Sequence, residues 1–197
     1  MTTPGVVLFD LGGVLLPFTQ GRRVRAVSAA LGLDEAAARA VLRADLFARL
    51  DTGEADETEF AAAFSEAAGR TVDRDEARAL ILSVFEPPNA ELWAIADRLT
   101  AKTVVGGFSD NPAFVREVFP AGADLDPMFW SCQLGATKSG EAAFAAVEAR
   151  LVLPAADIFF IDDSLPNVER ARRRGWHAAH FTHNAALIAD LAARGLT

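Results

Sequence analysis

Several polar residues stand where apolar runs of the sequence end. Asp10 closes VVLF (residues 6–9), and Ser109, Asp110 and Asn111 close KTVVGGF. Asp162 and Asp163 close DIFFI, and Lys138 follows the apolar stretch MFWSCQLG. A lone carboxylate at the end of a buried run is costly unless it is paired or bound to a metal. A carboxylate such as Asp10 can attack phosphorus to form an aspartyl-phosphate, which water then hydrolyses. The phosphate's own charge repels that attack, so a hard divalent cation is needed. Asp10 and Asp162, with Asp163 near, offer the oxygen ligands Mg²⁺ prefers. Ser109 and neighbouring backbone N–H groups can hold the non-bridging oxygens, with Asp110 and Asn111 orienting the loop or capping its helix. Lys138 can neutralise charge on Asp10 and on the transferring group.

That chemistry needs these residues on one edge, and the pattern of elements supplies it. Val6, Val7, Leu8 and Phe9 are apolar without alternation, which predicts a strand buried on both faces. About eighty residues of helical periodicity follow: RRVRAVSAALGL, DEAAARAVLRADLFARL, DETEFAAAFSEAAG and DRDEARALILSVF. Asp34, Asp56 and Asp73 stand at helix starts, and Gly32, Gly53 and Gly69 near helix ends. Glu86-Pro87-Pro88-Asn89 breaks the block as a hinge. Beyond it strands alternate with helices: KTVVGGFSD, helix PAFVREVF, strand MFWSCQ, helix GEAAFAAVEARL, strand DIFFIDD, helix LPNVERARRRG, strand WHAAHFT and a closing helix. This rhythm predicts an α/β fold, a doubly wound parallel sheet covered on both faces. The helical block becomes an insertion at 17–86 within a core of 1–16 and 87–197. Ligands of such sheets bind beyond the carboxyl ends of the strands, where the candidate residues fall.

Composition narrows the partners. The 197-residue chain has a formal net charge of −8, which argues against nucleic acid or an anionic membrane. A small phosphorylated molecule stays compatible, because a bound cation reverses the field locally. Cys132 is the single cysteine, so no intrachain disulfide forms, and no signal-peptide pattern opens the sequence; the expected location is the cytoplasm. No apolar run approaches membrane-spanning length. Cys132 reads as a buried, inert strand cysteine.

In these residues the chain resembles the haloacid-dehalogenase superfamily of hydrolases. LFDLGGVL matches the first motif of that family, Ser109 in GFSDN the second, Lys138 in LGATKSG the third, and Asp162-Asp163 in FIDDSLPNVERA the fourth. The resemblance implies a Rossmann-like core, Asp10 as nucleophile and Mg²⁺ as cofactor. It also implies a helical cap, the insertion, that closes over the site and selects substrate. One position departs. Phosphatases of the family usually carry a second Asp two residues after the nucleophile as general acid and base. Here that residue is Gly12, which by resemblance can still offer its carbonyl to the metal. General acid–base help is worth about 10²–10⁴ in rate, so a good leaving group is the easier substrate. The DLGGV variant resembles a subgroup of sugar-phosphate phosphatases.

Three other readings compete. A catalytically silent or weak binding protein is the main rival, because Gly12 removes a chemical group. A haloacid dehalogenase uses no metal, and its carboxylate substrate is repelled by Asp162-Asp163. A phosphoacceptor receiver domain places its acidic pair first and its acceptor later, the reverse of this order. His177, His180 and His183 alternate faces of a strand and serve a metal poorly. Arg170, Arg172, Arg173 and Arg174 read as a solvated complement to a helix dipole. Arg22, Arg23 and Arg25 read first as an exposed helix face, with reach to a substrate phosphate or carboxylate as the alternative. Trp93, Trp130 and Trp176 read as core or hinge packing. Asp163 and Asn167 can equally brace the helix that follows them.

Overall fold

A computed structural model describes residues 3–43 and 45–196. Among them, five strands form one parallel sheet: β1 (Val6–Phe9), β2 (Val104–Ser109), β3 (Met128–Trp130), β4 (Ile158–Asp162) and β5 (His177–His180), in the order β3-β2-β1-β4-β5. β1 is central because VVLF has no polar face to show to water; all four residues are fully buried. Its register pairs Phe9 with Gly107 on one side and Ile161 on the other. Asp10 and Asp162 therefore leave the sheet side by side, and the Asp10 N–H donates to the Ile161 carbonyl at 2.8 Å.

The inserted block folds as α1 (Gln20–Leu31), α2 (Glu35–Arg43), α3 (Asp45–Thr52), α4 (Glu57–Ala68) and α5 (Arg74–Leu82). DEAAARAVLRADLFARL, read as one helix, is described as α2 and α3; Ala44 lies outside the described residues. The acids read as helix starts act so. Asp56 forms a reciprocal capping box with Glu59, Asp73 accepts from the Glu76 N–H, and Asp34 accepts from the Ala37 N–H. These helices share a core of their own around Phe60, Phe64, Val24, Val27 and Leu80, with Phe47 set edge-on to Phe60. α5 stops at Leu82, and Val84 and Phe85 turn into the core beside the sheet.

α6 (Ala90–Leu99) and α10 (Asn184–Ala193) cover the sheet face of Val7, Phe9 and Ile161. α8 (Glu141–Leu151) and α9 (Leu165–Arg173) cover the opposite face of Leu8 and Phe160, where Phe108, Phe144 and Trp176 form an aromatic cluster. The sheet is thus sandwiched as the alternating pattern requires. No described helix is long and apolar enough to cross a membrane.

Two local expectations are corrected. PAFVREVF forms a 3₁₀ turn, Ala113–Val118, rather than an α-helix. Pro120 holds Phe119 extended, which leaves too few residues to propagate a helix. MFWSCQ is strand only to Trp130; the chain then turns into α7 (Ser131–Leu134), closed by Gly135. Cys132 is therefore a half-buried helical residue, not a buried strand one. Burial still raises its thiol above the ordinary value, so it stays protonated and inert.

The insertion joins the sheet through two stitched segments. The Glu86 N–H donates to the Pro17 carbonyl at 2.7 Å and the Asn89 N–H to the Leu15 carbonyl at 2.9 Å. The indole N–H of Trp93 reaches the same Leu15 carbonyl. Gly53, just past α3 at φ 75°, makes a third junction. A Cβ there would run into the Cys132 backbone carbonyl. Gly53→Ala is expected to destabilise the protein by about 1–3 kcal/mol, from left-handed strain and this clash; urea unfolding measures it.

Candidate active site

Three strand ends meet around one ammonium. The Lys138 Nζ lies 2.7 Å from Asp10 Oδ1 and 2.7 Å from Asp162 Oδ2. Lys138 is 2% exposed, Asp10 6% and Asp162 0%. Burial on its own would strip the lysine of its proton. Asp10, Asp162 and Asp110 together outweigh burial and hold Lys138 charged. The loop before α8 is fixed by its neighbours. The Lys138 N–H donates to both Asp110 carboxylate oxygens at 2.9 and 3.0 Å, and Arg170 donates to the Lys138 carbonyl at 2.6 Å.

Asp10 is anchored by one oxygen. Oδ1 accepts from the Leu11 N–H at 2.7 Å as well as facing Lys138. Oδ2 has no hydrogen bond among the described residues, and Asp10 lines a cavity of about 220 Å³. Burial pushes the Asp10 carboxyl well above the ordinary carboxylate range, against the pull of Lys138, and Asp162 adds to the rise. Asp162 is held from behind: Ser164 N–H donates to Oδ1 at 2.7 Å, and Asn167 spans both oxygens at 3.2 Å. Asp10, Asp162 and Asp163 each offer a carboxylate oxygen within 4.8 Å of the others. With Asp110, four carboxylates share a single lysine, a donor set of hard oxygens and surplus negative charge that suits a divalent cation.

The two glycines after Asp10 have separate reasons. Gly13 sits at φ 77°, and a Cβ there would collide with the Asp163 carboxylate. At Gly12 a Cβ would stand 3.1 Å from the Phe18 ring. Phe18 is itself packed edge-on to Phe85.

Most of the sequence-selected residues converge here. Asp10, Gly12, Asp110, Asn111, Lys138 and Asp163 line the cavity, as does Asn167, which also braces Asp162. Ser109 and Asp162 lie fully buried just behind the wall, with Ser109 Oγ accepting from Asn111 at 2.9 Å. Arg23 corrects the expectation of an exposed face: it lines the cavity and stacks over Phe47 at 4.2 Å, while Arg25 is exposed. Of the arginines at the end of α9, Arg172 and Arg173 are exposed as expected, whereas solvation does not explain Arg174. Arg174 pairs with Glu148 and Glu141, and Arg172 donates to the Ala178 carbonyl. His177 and His180 lie exposed on β5, and His183 caps α10.

Sequence reasoning missed Asp51. It stands in the last turn of α3 and lines the cavity opposite the strand ends. Burial pushes its carboxyl up to about 7; the Asp110 charge adds to that rise and Arg23 opposes it. A signal existed, because a carboxylate in the last turn opposes the helix dipole.

The comparisons agree with this geometry. No protein-family model and no curated relative matches the chain. Solved structures do. A predicted HAD-like family hydrolase from Porphyromonas gingivalis is 25% identical at a TM-score of 0.83, over 97% of this chain and 98% of that one. A HAD family enzyme from Bacteroides thetaiotaomicron, solved with magnesium and inorganic phosphate, is 19% identical at a TM-score of 0.81, over 94% and 98%. An L-2-haloacid dehalogenase from Xanthobacter autotrophicus is 19% identical at a TM-score of 0.63, over 99% and 85%. With this fold and these motifs at its strand ends, the chain is a member of the haloacid-dehalogenase-like hydrolase superfamily.

Asp51 also marks stability. Its carboxyl titrates near 3.8 when unexceptional and at about 7 in the fold, so between these values the folded protein binds more protons than the unfolded one. Stability from this group therefore falls as pH rises through that window. Asp51→Asn is expected to be the more stable protein at pH 8, with the difference vanishing near pH 4. The full linkage value of about 4 kcal/mol, discounted for partial exposure, leaves a gain on the order of 2 kcal/mol. Urea unfolding at both pH values checks the sign.

Proposed function

We propose that this hydrolase is a Mg²⁺-dependent phosphatase that transfers phosphoryl from a small organophosphate to Asp10 and then to water. The observation that carries the reading is Asp10 itself, with one oxygen fixed by Leu11 and Lys138 and the other unpartnered beside the cavity. A nucleophile needs that arrangement: a locked direction and a spare lone pair. Asp10, Asp162 and Asp163, with the Gly12 carbonyl, would hold the cation. When bound, it would supply the positive charge that keeps Asp10 ionised and offsets the charge of the phosphate.

The remaining roles fall to residues already placed. Lys138 fixes Asp10 and presents a permanent cation to the transferring group. Asn111, backed by Ser109, and the N–H groups of its loop receive phosphate oxygens, while Asp110 fixes that loop to Lys138. Asn167 keeps Asp162 aligned. The insertion, residues 17–86, acts as a cap whose face over the site is Phe18, Val27, Phe47 and Leu80, relieved by Arg23 and Asp51. The Bacteroides enzyme that holds magnesium and inorganic phosphate supports the reading. A 2-haloacid would bring its own carboxylate to the acidic trio, which opposes dehalogenation. A silent binding protein would have little use for a nucleophile so tightly aimed. A sugar phosphate is the first substrate class to test, on the resemblance of the DLGGV stretch, and the cytoplasm is its inferred location.

Purified protein with Mg²⁺ is expected to release phosphate from a panel of sugar and aryl phosphates, and chelator is expected to stop it. Asp10→Asn should lose at least about 10³-fold in kcat while keeping the wild-type circular dichroism. Activity surviving in that variant would rule out Asp10 as nucleophile.

A further inference from the structure

Gly12 leaves the site without a proton carrier on the loop after β1. A Cβ at position 12 would press on the Phe18 ring at 3.1 Å. The other ionisable groups in the cavity wall are committed. Asp110 is clamped by both oxygens to the Lys138 N–H. Asp10 and Asp163 belong to the acidic trio. Lys138 is locked between two carboxylates and stays protonated. Arg23 is a guanidinium with no useful proton to give. No histidine lines the cavity among the described residues.

Asp51 alone is uncommitted. Among the described residues no hydrogen bond or ion pair reaches its side chain, although it is half-buried and lines the cavity. An unpaired carboxyl in an apolar wall is destabilising, and its place in the last turn of α3 adds dipole repulsion. Neither helix stability nor packing accounts for it. Its position is nonetheless fixed: two residues on, Gly53 lies flush against the Cys132 carbonyl at the end of the sheet. The charged groups facing it are Arg23 from α1 and Asp110 from the loop after β2, and Lys138, Asp10 and Asp163 line the same cavity.

We propose that Asp51, delivered from the inserted helices, is the catalytic acid and base of this site, in place of the side chain that Gly12 lacks. The proposal rests on the phosphatase reading. In the first step an Asp10 oxygen forms a bond to phosphorus as the bond from phosphorus to the leaving oxygen breaks. The electron pair of that bond goes to the leaving oxygen, which takes the Asp51 proton and departs as an alcohol. In the second step a water oxygen attacks phosphorus and gives its proton to the Asp51 carboxylate. The bond from phosphorus to Asp10 breaks with its pair returning to Asp10, inorganic phosphate leaves, and Asp51 is again protonated. Burial and the Asp110 charge keep the group near neutrality, where it can work in both directions.

The test compares the Mg²⁺-loaded wild type with Asp51→Asn and Asp51→Glu on p-nitrophenyl phosphate and phenyl phosphate. The value of kcat/KM reports the first transfer, in which only the poorer leaving group needs a proton. Asp51→Asn is expected to lose about 10²–10⁴-fold on phenyl phosphate and less than about tenfold on p-nitrophenyl phosphate. The wild-type profile for phenyl phosphate should fall on the alkaline side with a midpoint near pH 7. That limb should vanish in Asp51→Asn and return, shifted, in Asp51→Glu. Equal losses on both substrates with the limb retained would make Asp51 a binding residue and overturn the proposal, as would no loss at all. Release by the wild type from neither substrate would overturn the phosphatase reading and this role with it. Circular dichroism of Asp51→Asn should match the wild type, since the change removes an unpaired buried charge.

Discussion

The site depends on the burial of one ammonium among four carboxylates. Lys138 could not stay charged in this setting without Asp10 and Asp162 against it. Each partner is tied to a different element: Asp10 to the end of β1, Asp162 to the end of β4, and Asp110, through the Lys138 N–H, to the end of β2. Arg170 ties α9 to the Lys138 loop, and Asn167 ties it to Asp162. Removing any partner would strand charge in a buried place. The surplus of acid that remains is the physical ground for a divalent cation.

The cavity divides by material. Its floor is polar and rigid, made of strand ends locked by short hydrogen bonds. Its roof is apolar and built by helices with their own aromatic core of Phe47, Phe60 and Phe64. Where such a roof excludes water, electrostatic interactions at the floor strengthen. The connections at Pro17–Glu86 and Leu15–Asn89, together with Gly53 on Cys132, set how floor and roof meet.

The sheet and its acids were legible because their signals are local. VVLF and DIFFI are apolar without alternation, and a polar residue at the end of each can only point out of the sheet edge. Capping residues such as Asp56 and Asp73 were legible for the same reason. Contacts between elements were not. Arg23 looked like any cation on an exposed helix, and only the packing of α1 on α3 turns it under the roof. Arg174 looked as solvated as its exposed neighbours Arg172 and Arg173, because nothing in the run names Glu141 or Glu148 as its partners. The 3₁₀ turn at Ala113–Val118 was misread because the helical spacing is present and only Pro120 curtails it. Asp51 broke a local rule, an acid at the negative end of a helix, in a stretch whose periodicity drew attention to its apolar face.

The exchange of Gly12 for Asp51 alters more than the address of a proton. On the loop after β1 an acid would share the rigid frame of the nucleophile and be present whatever the inserted helices did. On α3 it reaches the reacting oxygen only through the seating of those helices on the sheet edge, at Gly53 and Cys132. Proton transfer and water exclusion then have the same structural origin, since the roof that carries Asp51 also carries Phe18, Phe47 and Leu80. A substrate too large to let the roof settle would lose its proton donor along with its dry site. Discrimination would therefore appear in the chemical step rather than in affinity alone. Phe18 is part of the same arrangement: its ring stands 3.1 Å from where a Cβ at position 12 would lie. The loss at one position and the gain at the other are in this way parts of one packing arrangement.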